Sequence, residues 1–171
     1  MRLLGLPGRK ASTLTQMTDL VERLAGGQAA VRSYGFWGGA DVPDPDVGPE
    51  VLAVADSGAE LLVCKSIGTL IAMLARERHG FIAKSYVFIG SPLRRFEAEG
   101  LTDILRRQAH AAPTLFIQQT ADFNGAYADL AAAVGAAPFA TMAEVPGDDH
   151  LYSDTMRLAQ IIEAWRASAP A

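Results

Sequence analysis

Three residues in this chain have the types and placement for acyl transfer: Ser66, Asp122 and His150. A serine hydroxyl is a poor nucleophile near neutral pH unless an imidazole takes its proton. The imidazole in turn needs a carboxylate to fix its tautomer and stabilise the cation that forms. Ser66 stands where the apolar run Leu61-Leu62-Val63-Cys64 gives way, after Lys65, to the helix-like pattern Ile67-Gly68-Thr69-Leu70-Ile71-Ala72. A serine on such a strand-to-helix turn exposes its hydroxyl at the sheet edge. The N–H groups that open the helix favour negative charge at the same spot. Ile67 is therefore the first expected oxyanion donor.

Each of these residues also has a plainer role available. Ser66 could cap the helix that follows it, and Asp122 could form an Asx-turn into Asn124-Gly125. Among the histidines, His79 ends a helical segment and His110 sits in an Ala-rich connection, whereas His150 follows a strand. Asp103 and Asp129 lie inside helical segments. Asp148, Asp149 and His150 are consecutive, so their side chains diverge; no metal site and no cofactor are expected. Cys64, at the end of a buried strand, reads as a small inert hydrophobe, and Lys65 as a solvated cation. Ser91, before Pro92, reads as a turn former and a weak substrate contact. Phe36 and Trp37 end the second strand; they serve either as core or as the wall of an acyl pocket.

The elements that must position these residues alternate between strand and helix. Strands are expected at Arg2–Leu6, Ala29–Phe36, Glu60–Lys65, Ser85–Ile89, Thr114–Gln119 and Thr141–Val145. Helices are expected at Thr13–Leu24, Glu50–Asp56, Ile67–His79, Thr102–Ala109, Tyr127–Val134 and Ser153–Arg166, with an irregular Pro- and Asp-rich loop over Gly38–Pro49. In the first of these helices Leu14, Met17, Leu20, Val21 and Leu24 recur at helical spacing. Such alternation implies right-handed crossovers and a single α/β domain over residues 1–171, a mostly parallel sheet of about six strands with helices on both faces. Functional groups in such a sheet gather beyond the carboxyl ends of the strands, which is where Ser66, Asp122 and His150 fall.

With 50% hydrophobic and 20% charged residues the chain is too apolar for disorder. Its 15 basic and 19 acidic residues give a net charge of −4, and no basic cluster exceeds Arg94-Arg95 or Arg106-Arg107, so nucleic acid is an unsuitable partner. The single cysteine excludes an internal disulfide and fits a reducing compartment. The first residues are too short an apolar run for a signal peptide, and no stretch reaches the roughly 18 apolar residues of a membrane span. A cytoplasmic protein acting on a small molecule is expected, with no membrane partner; oligomeric state is not encoded in these features.

The residues that carry chemistry, in the order Ser66 within Cys-Lys-Ser-Ile-Gly-Thr, Asp122 within Gln-Gln-Thr-Ala-Asp-Phe-Asn-Gly, and His150 within Pro-Gly-Asp-Asp-His, resemble the α/β-hydrolase superfamily, its small dienelactone-hydrolase-like members most of all. The resemblance spans nearly the whole chain but lacks that family's first two strands, its His-Gly oxyanion signature and a sizeable lid; Leu6-Pro7-Gly8-Arg9-Lys10 stands in the place of that signature, so the resemblance implies a backbone N–H of Gly8 or Arg9 as the second oxyanion donor. Cys64 stands at the first glycine of the Gly-x-Ser-x-Gly elbow and Thr69 at a position usually small, which predicts backbone strain there. The resemblance implies a minimal α/β-hydrolase fold with an open, shallow pocket, and a serine esterase, thioesterase or lactonase with Ser66, His150 and Asp122 as its triad. A binding or scaffold protein, or a cyclase or lyase on the same fold, is the alternative.

Overall fold

The computed structural model describes residues 1–39 and 42–168; Ala40 and Asp41 of the expected irregular loop, and residues 169–171, lie outside them. The strands are β1 (Leu3–Leu6), β2 (Ala29–Val31), β3 (Leu61–Lys65), β4 (Ser85–Ile89), β5 (Thr114–Gln119) and β6 (Ala140–Val145), and the helices are α1 (Thr13–Leu24), α2 (Gly48–Ala55), α3 (Ile67–His79), α4 (Leu93–Ala98), α5 (Thr102–Ala111), α6 (Tyr127–Val134) and α7 (Thr155–Ser168). All six strands pair in parallel in the order β2-β1-β3-β4-β5-β6.

Strand alternation sorts the core into two layers, because successive side chains point to opposite faces. Leu61, Val63, Val87, Ile89, Leu115 and Ile117 pack with Met17, Leu20 and Val21 of α1 and Leu158 and Ile162 of α7. Leu62, Cys64, Tyr86, Phe88 and Phe116 face the other way, onto α2, α3, α5 and α6. Because β3, β4 and β5 are covered on both faces, their sequences are nearly continuous apolar runs rather than alternating ones.

Two segments depart from the sequence-based expectation. The strand expected to reach Phe36 stops at Val31, and Gly35–Gly38 forms a 3-10 turn. The cause is Glu50 of α2, buried at 2% exposure, whose carboxylate accepts from the Gly35 N–H at 2.7 Å and from the Arg32 guanidinium at 2.7 Å, turning the chain off the sheet edge. Residues 90–113 hold two helices, not one: α4 uses Leu93 and Phe96 to extend the core, so the described residues of this connection form no cap over the sheet edge.

Candidate active site

The turn after β3 places Ser66 at φ 52°, ψ −116°, an uncommon conformation for a residue with a Cβ. Its surroundings over-determine that strain. The Ser66 N–H donates to Ile89 O at 2.9 Å, while Ser66 O accepts from the Thr69 N–H at 2.9 Å and the Thr69 hydroxyl at 2.7 Å. The strain falls on Ser66, not on Cys64 or Thr69: Cys64 continues a regular strand and Thr69 sits in the first turn of α3. Gly68 is required for a different reason. A Cβ there would lie 2.5 Å from Leu6 O, so only glycine lets the start of α3 rest on the end of β1. The apolar side of α3, with Ile67, Leu70, Ile71 and Met73 buried, fixes the turn at roughly 1.5–3 kcal/mol per side chain.

Ser66, Asp122 and His150 follow β3, β5 and β6, and the structure brings all three together. His150 Nε2 is 2.9 Å from Ser66 Oγ, and His150 Nδ1 is 2.7 Å from Asp122 Oδ2 and 3.0 Å from Oδ1. The Ser66 side chain makes no helix-capping hydrogen bond, so its hydroxyl is committed to the imidazole. Asp122 does both of the jobs open to it: Oδ1 accepts from the Asn124 N–H at 2.8 Å, the Asx-turn, while the carboxylate also holds His150. Burial works to raise the Asp122 carboxyl, but the hydrogen bonds from His150 and Tyr152, with the Asn124 N–H, outweigh it and hold the group below its ordinary value.

Sequence comparison finds no matching protein-family model and no matching curated protein. Solved structures do match in shape. The naproxen esterase (carboxylesterase NP) of Bacillus subtilis aligns with a TM-score of 0.68 at 9% identity, over 96% of this chain and 83% of that one. A protein described as an N-acyl homoserine lactone degrading enzyme gives 0.66 at 13% identity, over 96% and 92%. The type II thioesterase of the yersiniabactin biosynthetic pathway gives 0.61 at 13% identity, over 95% and 90%. The fold is that of the α/β-hydrolases.

On this α/β-hydrolase fold the remaining expected site residues take varied positions. Ile67 opens α3, whose first N–H groups have no acceptor within the helix. Gly8 and Arg9 lie in the turn after β1, braced by aromatics: the Tyr34 hydroxyl donates to Pro7 O at 2.9 Å, and the Trp37 indole N–H to Arg9 O at 2.7 Å. Phe36 and Trp37 also line a cavity of about 260 Å³ with Arg9, Lys10, Val42 and Pro45, whose lining does not include Ser66 or His150. Ser91 is a correction. It is fully buried, its N–H donating to Gln118 Oε1 at 2.9 Å and its carbonyl accepting from Gln118 Nε2 at 3.3 Å, so a substrate cannot touch it.

Lys65 is a second correction. It is buried at 5% exposure, not solvated, and its ammonium donates to His150 O at 3.3 Å. Burial lowers its pKa against the pull of Asp122 and Asp149. Cys64 is fully buried and its thiol is pushed up by that burial, as an inert core residue. Three further residues escaped the sequence reading. Gln119 clasps the histidine loop, accepting from the His150 N–H at 2.8 Å and donating to Asp149 Oδ1 at 2.8 Å. Tyr152 places its hydroxyl between the Gln119 N–H, at 2.8 Å, and Asp122 Oδ2, at 2.6 Å. Gly90, at φ 61°, lies against both rings of that loop. The one available signal was position: Gln119 ends β5 and Tyr152 shortly follows His150, so both fall at the functional sheet edge.

No helix among the described residues is long and apolar enough to cross a membrane.

Proposed function

We propose that the protein is a serine-dependent acyl hydrolase, acting on a small ester, thioester or lactone through an acyl-enzyme, of the small, lidless, dienelactone-hydrolase-like kind. The observation that carries this reading is the unbroken line Ser66 Oγ to His150 Nε2 at 2.9 Å and His150 Nδ1 to Asp122 Oδ2 at 2.7 Å. In the first step His150 takes the hydroxyl proton as Ser66 Oγ bonds to the substrate carbonyl carbon. The tetrahedral oxyanion is met by the Ile67 N–H and a backbone N–H of Gly8 or Arg9. His150 returns the proton to the departing alcohol or thiol as the carbonyl reforms, leaving an ester on Ser66. Water, deprotonated by the same imidazole, then releases the acid and restores the hydroxyl. Asp122 remains a carboxylate throughout, orienting Nδ1–H and stabilising the imidazolium.

The matching structures carry names of an esterase, a lactone-degrading enzyme and a thioesterase, and these support the acyl chemistry without choosing among the three substrates. Activity on a panel of p-nitrophenyl esters, acyl thioesters and lactones tests the reading. At least one class should turn over, with kcat reduced about 10³-fold or more in both Ser66→Ala and His150→Ala, since members of a triad act as a unit. Turnover surviving in Ser66→Ala would overturn it.

A further inference from the structure

We infer that Tyr152 is a positioning residue for Asp122: its hydroxyl sets how strongly the carboxylate draws on the His150 imidazole. The inference rests on the serine-hydrolase reading above. Tyr152 follows His150 closely in the loop after β6 and is buried at 4% exposure, so water does not compete for its hydroxyl. The hydrogen-bond polarity is fixed by its neighbours. A backbone N–H can only donate, so at 2.8 Å from the Gln119 nitrogen the phenolic oxygen must accept. The single phenolic proton is then directed at Asp122 Oδ2, 2.6 Å away. That oxygen is the one closer to His150 Nδ1, at 2.7 Å. Two donors therefore share Oδ2, and the charge drawn off by the phenol is charge the imidazole does not feel.

The backbone shows that this placement is built in. Tyr152 is held at φ 53° and His150 at φ 58°, the left-handed region that bulky side chains rarely occupy. The Tyr152 carbonyl accepts from the Gln16 side chain, reaching across from α1. The two rings stand edge to face at 5.8 Å. Burial and the neighbouring Asp122 carboxylate push the phenol well above its ordinary pKa, so it stays a donor throughout the working range. The other charges facing this centre are Lys65, which approaches from β3 and holds His150 O, and Asp149, held by Gln119; neither touches the phenol–Asp122 bond.

Removing only the hydroxyl, in Tyr152→Phe, leaves Oδ2 to His150 alone. The carboxylate becomes more basic and the imidazole holds its proton more tightly. Replacing Tyr152 with 3-fluorotyrosine makes a stronger donor of almost unchanged size and acts in the opposite sense. The experiment is the pH dependence of Ser66 labelling by a fluorophosphonate probe, which needs no knowledge of the natural substrate. The acid limb of the labelling rate should move up by about half a pH unit in Tyr152→Phe, with labelling on that limb about threefold slower, and down in the fluorotyrosine protein. Limbs that coincide with the wild type, or a uniform loss of rate with an unmoved limb, would reduce Tyr152 to packing and overturn the inference. If Tyr152→Phe fails to fold, the fluorotyrosine protein decides alone. Wild-type protein that is not labelled at Ser66 would instead overturn the hydrolase reading, and this inference with it.

Discussion

Replacing Gly90 with alanine should damage both stability and labelling of Ser66, and the size of each effect follows from the geometry around β4's exit. Gly90 sits at φ 61°, where an L side chain costs about 1–2 kcal/mol for the backbone alone. A Cβ built there would lie 2.6 Å from Tyr152 Cε2, 3.1 Å from Tyr152 Cζ and 3.1 Å from His150 Cε1. Ordinary carbon contacts are roughly 3.5–4.0 Å, so the tyrosine ring must retreat by about 1 Å in a loop pinned by Gln119 and Gln16. Overpacking of this kind adds about 1–3 kcal/mol, for a total near 2–5 kcal/mol. Gly80 supplies an internal control. It has nearly the same φ, 66°, as the cap of α3, but its Cβ would meet nothing within 4 Å. Gly80→Ala should therefore show the backbone cost only, about 1–2 kcal/mol by urea unfolding, with an unchanged fluorophosphonate labelling rate. Gly90→Ala should exceed it in unfolding and also slow labelling about a hundredfold, as expected when a catalytic base is misplaced by about 1 Å. Equal urea midpoints for the two variants, or normal labelling in Gly90→Ala, would refute the reasoning that the turn after β4 is shaped to the His150 loop.

Three other outcomes follow from the structure. Asp122→Asn should keep the fold but lower kcat about 10³–10⁴-fold, because an amide presents the wrong partner to His150 Nδ1; steady-state kinetics on any turned-over ester checks this. Cys64, fully buried with its thiol pushed up, should resist iodoacetamide in the folded protein, and Cys64→Ala should retain Ser66 labelling while losing about 1–2 kcal/mol of stability. Glu60 is lowered from 4.5 to about 2 by the Lys84 ammonium at 2.6 Å and the Arg2 N–H at 2.8 Å. Its folded pKa is depressed, so its contribution is complete above about pH 4.5 and disappears as pH falls toward 2. Glu60→Gln should accordingly unfold at lower urea than wild type at pH 7, with the two midpoints converging over that acidic window.

Much of the scaffold was legible because its signals are local. The helical spacing of Leu14 to Leu24 gave α1 its observed bounds, and the serine after the β3 apolar run marked α3, which likewise runs from Ile67 to His79 as expected. Ser66, Asp122 and His150 were legible as candidates because parallel α/β sheets put function at the strand ends. What was not legible depends on contacts distant in sequence. The β2 strand looked longer than it is because Glu50, on a helix, takes the Gly35 N–H. Lys65 reads as a surface cation until its partner, the His150 carbonyl, is known. Ser91 looked accessible as the residue after a strand, but Gln118 closes over it. Gln119 and Tyr152 carry no motif; their roles arise only when the loops after β5 and β6 are folded against each other.

The most direct test of the central claim is peptide mapping of the intact protein after fluorophosphonate treatment. One adduct per chain on the peptide bearing Ser66, absent in Ser66→Ala and strongly diminished in His150→Ala, is the expected result. An adduct on another residue, or none on folded wild-type protein, would contradict the assignment of Ser66 as a nucleophile activated by His150.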